Sequence, residues 1–110
     1  MVGIINKITK KRIKPLDIKC YTNLVGSGAT KTITNSKYLK GNTLIVVHYY
    51  RASATGGIVF VKRGSTTLSA NQTFGSLNFY CVIYKLTSTV SSITIDNQSN
   101  YDAKYSFIYV

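Results

Sequence analysis

The side chains able to carry chemistry in this 110-residue chain are few: one histidine, two cysteines and three aspartates, with no glutamate. General acid–base pairs, hydrolytic carboxylate pairs and hard-metal sites all draw on Asp and Glu. Only Asp17, Asp96 and Asp102 are on hand. Cys20, Cys81 and His48 fall short of the four N or S ligands of a structural zinc site. His48 is the sole conceivable base for a nucleophilic thiol. No G-x-S-x-G, phosphate-loop or dinucleotide fingerprint occurs, and Gly26-Ser27-Gly28 and Gly56-Gly57 are turn glycines without a following helix. The expectation is a protein that is not an enzyme and uses no metal or cofactor.

Binding chemistry is better supplied. The chain carries 14 Lys plus Arg against 3 acids, a net charge of +11, so its field attracts acidic surfaces and nucleic acid. Five of those cations, Lys7, Lys10, Lys11, Arg12 and Lys14, fall in residues 1–15 with no acid among them, and Pro15 closes the segment. That stretch is expected to be a basic arm, either solvated or lying along an edge, or docking on a partner or acidic surface, with nucleic acid a further candidate. Tyr49, Tyr50 and Arg51 sit together, and Tyr80 and Tyr84 share what reads as the polar phase of their strand. Three uses suit them: stacking on single-stranded nucleic acid, anchoring a protein interface, or completing the core. Sugar binding on aromatic platforms is a weaker option without tryptophan.

The elements that must position these residues read as strands. Val, Ile and Thr make up 34 residues and Tyr plus Phe another 13. Branching at Cβ suits a pleated surface, and helix propensity has little to work with. Leu16, Ile18, Cys20 and Thr22 alternate with polar neighbours, which predicts that phase as the buried one. Thr30 to Thr34 reads as a short edge strand and 36–42 as a polar turn. Thr43 to Ala52 is apolar on both faces, as a central strand would be. Residues 53–57 predict a hairpin into 58–63. A short strand after Gly64 and a loop over 71–76 lead to a second central strand, 77–87. Strands over 90–95 and 104–110 follow, the last placing Tyr105, Phe107 and Tyr109 on one side. Cys20 and Cys81 fall on the predicted apolar phases, either as two buried thiols or as a disulfide between facing strands. The sum is an all-β chain: a basic arm over 1–15, then a single antiparallel sandwich or jelly roll of seven or eight strands over 16–110. No apolar run is long enough to span a membrane, and no secretory leader is expected.

From Gly41 to Val110 the order LIVVHYY, GGIVFVKRGSTTL, FYCVIYKL, SITID and YSFIYV resembles the small β-sandwich and jelly-roll modules of bacteriophage virions. Head decoration, head fibre and tail components are among them. Val61-Lys62-Arg63-Gly64 is also similar to a turn of trimeric C1q-type jelly rolls. The resemblance implies a non-enzymatic virion protein, soluble in the cell until assembly, whose arm and sheet surfaces bind capsid or tail subunits and copies of itself. It carries over no individual residue. An OB-like domain binding single-stranded nucleic acid, or a carbohydrate- or cell-surface-binding module, are the alternatives.

Overall fold

The computed structural model describes residues 17–51 and 57–110. The basic arm and its five cations lie outside the described residues. The described residues form nine strands: β1 (Lys19–Val25), β2 (Thr30–Ile33), β3 (Leu44–Tyr50), β4 (Val59–Arg63), β5 (Thr66–Thr67), β6 (Gln72–Ser76), β7 (Phe79–Lys85), β8 (Ile93–Asn97) and β9 (Ala103–Tyr109). A single 3-10 turn, Ser36–Tyr38, lies between β2 and β3, and the described residues contain no α-helix. The strands form two antiparallel sheets, β1-β9-β3-β7-β6 and β2-β8-β4-β5. The all-β expectation holds, with one strand more than the upper count.

One core collects alternate residues from both sheets. Val25, Ile45, Val47, Val82, Tyr84, Tyr105 and Phe107 come from the five-stranded sheet, and Ile33, Val59, Val61, Ile93 and Ile95 from the four-stranded one. Leu39, in what reads from sequence as a polar turn, is fully buried, and the Val90 N–H donates to its carbonyl at 3.0 Å. Asn97 ties the sheets together. Its buried amide donates to the carbonyl of Val25, on the opposite sheet, at 3.0 Å and to that of Tyr101 at 2.9 Å. Its side-chain oxygen accepts from the Ser99 N–H and Oγ. A buried polar side chain is tolerated where such bonds satisfy it.

Four sequence expectations need correction. The 53–57 hairpin is not one, because β3 is hydrogen-bonded on both edges, by β7 and β9, and β4 lies in the other sheet. The predicted loop over 71–76 contains β6. The inward phase of β1 is Tyr21, Asn23 and Val25, not Ile18, Cys20 and Thr22: it stands opposite Phe107, Tyr105 and Ala103, which face the core, and of its three residues Val25 is buried, Tyr21 half-buried and Asn23 exposed. Tyr80 and Tyr84 likewise point inward, and Phe79, Cys81 and Ile83 outward. Each strand offers an apolar residue to both faces, so alternation alone leaves the phase open and the partner strand decides it.

The central and closing strands stand as read. β3 is the middle strand of five, and β9 lies between β1 and β3 with Tyr105 and Phe107 fully buried.

Candidate functional site

Register across the five-stranded sheet lines up the outward-facing residues in rows. Leu24 stands beside Lys104, Lys104 beside His48, His48 beside Cys81, and Cys81 beside Phe74, one residue from each strand. The next row holds Tyr50, Phe79 and Ser76. Together they line an open groove of about 530 Å³, with Tyr80, Gly75 and Asp102 at its margins. Phe74, Phe79 and Leu24 are each more than half exposed, at 52%, 64% and 56%. The Tyr50 ring meets Phe79 at 5.0 Å and Tyr101 edge-on at 4.9 Å, so the aromatic surface is continuous. On the rows behind, Val46 and Ile83, then Leu44 and Ile108, extend the apolar strip along the same face.

Two local features hold this surface in place. Gly75 lies beside the Tyr80 ring, where a β-carbon would stand 3.0 Å from the nearest ring atom, so a larger residue there would push the ring aside. The two-residue turn between β6 and β7, Leu77–Asn78, has positive φ at both positions, 56° and 89°. Both central residues take that sign in the type I′ turn that suits a twisted hairpin. Asn is at home there, whereas Leu bears strain and is 88% exposed. An exposed leucine in a left-handed conformation stabilises nothing inside the fold. It is a surface feature at the rim of the groove.

Among the residues singled out from sequence, Tyr49 packs inward on Tyr80, rings stacked at 5.3 Å, and is nearly buried. Burial raises its phenol above the usual tyrosine range, with the Arg51 charge opposing and Tyr80 adding to the rise. Tyr50 lies on the groove, and the Arg51 N–H donates to the Asn78 carbonyl at 2.8 Å, tethering the end of β3 to the hairpin turn. Most other tyrosines are structural. Tyr38 stacks on Tyr21 at 4.7 Å and meets Phe107 and Tyr109, and Tyr84 and Tyr105 are buried. The core reading is therefore right for most of them, and the surface reading for Tyr50. Phe74, Phe79, Leu24 and Leu77, which carry the exposed surface, escaped notice because they looked like core or loop residues.

Both cysteines are free. Cys20 is exposed and Cys81 half-buried, both on the outer side of the sheet. The strands that carry them are separated by β9 and β3, an interval of about 14 Å at normal strand spacing, too far for a bridge. This removes the disulfide and the buried-thiol expectations together. His48 is exposed between Lys104 and Cys81. No group of three or more metal-ligating side chains occurs among the described residues, and no helix there is long and apolar enough to cross a membrane.

A scan against known protein families and a search of curated proteins find no match to this chain.

Proposed function

We propose that this is a non-enzymatic structural protein of a virion, an accessory component of a phage head or tail that works by binding other subunits. The observation that carries the reading is the open apolar face of the five-stranded sheet. Phe74, Phe79 and Leu24 are exposed along one groove, Leu77 is exposed on the adjoining turn, and exposed apolar surface of this kind marks interaction sites. The strand order supports it. With β6 set aside, β1-β9-β3-β7 facing β2-β8-β4-β5 is the order of two interleaved Greek keys, a jelly-roll sandwich. Viral shell proteins are among the users of that architecture, as are lectins and cupins. The basic segment before β1 supplies charge for an acidic neighbour, where steering speeds docking and fixes orientation.

The OB-like alternative calls for a five-stranded, partly open barrel, and two separate sheets do not make one. Local charge on the groove is mixed: Lys104 and Asp102 bring opposite signs, and the other lining residues are apolar or polar side chains, His48 among them. That chemistry favours a protein surface over a phosphate backbone.

Quantitative mass spectrometry of particles purified from producing cells tests the reading. The chain is expected at a fixed ratio to the shell or tail subunits, and deleting residues 1–14 is expected to remove it from particles while the β body stays folded. Particles that never contain the chain would overturn the proposal, as would tight oligonucleotide binding lost on Phe74→Ala or Phe79→Ala substitution.

A further inference from the structure

The two sheets have four edges, and three of them carry a guard against pairing with another chain. β5 is only two residues long. β2 holds Lys31 on the phase that faces inward, opposite Ile95. β1 opens with Lys19, which reaches Asp17 at 3.8 Å. Short edge strands and charges placed on the edge are the ordinary means of blocking edge-to-edge pairing.

β6 has neither. Its sequence, Gln72-Thr73-Phe74-Gly75-Ser76, contains no charge and no proline over five residues, every one of them exposed. It pairs with β7 on one side only and ends the sheet. Beside it lies the apolar groove, with Phe74 on its outermost row.

We propose that β6 is the self-association edge of this protein, pairing antiparallel with β6 of a second copy about a two-fold axis near Phe74. The inference rests on reading the five-stranded exterior as a docking face, and it names the occupant. Charge decides between a second copy and an acidic partner. In a chain of net +11, an edge built for an acidic partner would carry some of the fourteen cations, whereas an edge meant to meet its own kind must leave them out. β6 is the edge of appreciable length without one. A two-fold axis near Phe74 would set Gln72 opposite Ser76 and Phe74 beside its own counterpart. The two five-stranded sheets would join into one of ten strands, and the two grooves into a single apolar trough. Isologous pairing of this kind closes after two copies and leaves no further β6 edge to propagate a fibre.

The test uses the full chain and its Phe74→Lys and Phe74→Glu variants in sedimentation equilibrium, with folding of each checked by circular dichroism. Phe74 is more than half exposed, so both variants should fold. Wild type is expected to dimerise, and more tightly as salt rises from about 50 to about 500 mM, because screening relieves repulsion between like-charged copies. Each variant alone should lose at least tenfold in dimerisation, and an equimolar mixture of the two should recover it. Amide exchange should slow at Gln72–Ser76 in the dimer. A wild-type chain that stays monomeric, a dimer indifferent to both variants, protection gained at β1 instead, or dimerisation weakened by salt would each overturn the proposal. Membership of particles is read separately. A monomer that still enters particles defeats this inference and leaves the structural role standing, and a β6 dimer absent from particles does the reverse.

Discussion

The exteriors of the two sheets are built from the same alternation and come out opposite in character. On the four-stranded sheet the outward positions satisfy one another. The Thr32 and Thr94 hydroxyls meet at 3.0 Å, and the Asp96 carboxylate accepts from Lys62 and from Gln98, both at 2.9 Å. The Lys62 ammonium also lies 5.8 Å from the centre of the Phe60 ring. On the five-stranded sheet the corresponding positions of β3 and β7 are Leu44, Val46, His48 and Tyr50, then Phe79, Cys81, Ile83 and Lys85, five of the eight being aliphatic or aromatic hydrocarbon or phenol side chains. Among the described residues one hydroxyl pair, Thr22 with Ser106 at 2.9 Å, joins side chains across strands on that face. Neither exterior is needed to close the core. The difference shows that a sheet's outer face is free to be spent on water or on a partner, and here one face has gone each way.

The largest effect should come from the residue that joins the sheets rather than from either exterior. Asn97→Ala removes a buried amide and its bonds to the Val25 and Tyr101 carbonyls, of which the second keeps the Ser99 hydroxyl as a donor. It is expected to cost about 3 kcal/mol, read as a fall of roughly 15 °C in thermal midpoint. The comparison itself turns on the double variant Phe74→Ser, Phe79→Ser. Association should weaken at least a hundredfold, about 2.7 kcal/mol, with the thermal midpoint moving only a few degrees. A large loss of stability would show that these rings are structural and that the contrast between the faces is false.

The third prediction concerns pH. Hydrogen bonds from Lys62 and Gln98 hold the Asp96 carboxyl below its ordinary range, with the Lys62 charge adding to them. The group is then ionised more readily folded than unfolded. Its contribution is present above the unfolded carboxylate pKa near 3.9 and disappears as pH falls through the lower folded value. Urea melts of wild type should lose up to about 1 kcal/mol over that acid window, and Lys62→Met should flatten the loss. Mutating the open face should leave the acid slope unchanged. Smallest of all, Leu77→Asn should add up to about 1 kcal/mol by relieving the left-handed strain, while weakening contact at the rim.

The all-β class was legible in the sequence because β-branched and aromatic residues dominate and helix formers are scarce. Strands β3 and β9 were legible because both are central and apolar. What escaped was phase and partnership. In β1, Ile18, Cys20 and Leu24 mimic a core stripe, yet Tyr21 and Val25 face inward because β9 opposes them with Phe107 and Ala103. Periodicity cannot separate two apolar stripes on one strand. The groove was hidden for the same reason, since an exposed Phe79 and a buried Phe107 look alike until the register is known. The chain passing from β3 to β4 also reads as a hairpin, because local turn signals say nothing of which sheet receives the next strand. Close packing marks this crossing: a β-carbon on Gly57 would collide with the carbonyl of Gln98.

The place of β9 between β1 and β3 sets a timetable for synthesis. Lys19 pairs with Tyr109, and His48 with Lys104, so the slot between the first and third strands stays empty until residues 103–109 have left the ribosome. At about 5–20 residues per second, β1 waits several seconds with no partner in its sheet, and β3 with β7 on one side alone. Their Leu44, Ile45, Val46 and Val47 are then bare in a crowded cell. Folding is thus led by distant contacts, the slow end of the range for small domains. A chain stalled even a few residues short of β9 would be left with two open edges, a target for proteolysis before it could ever present its outer face to a neighbour.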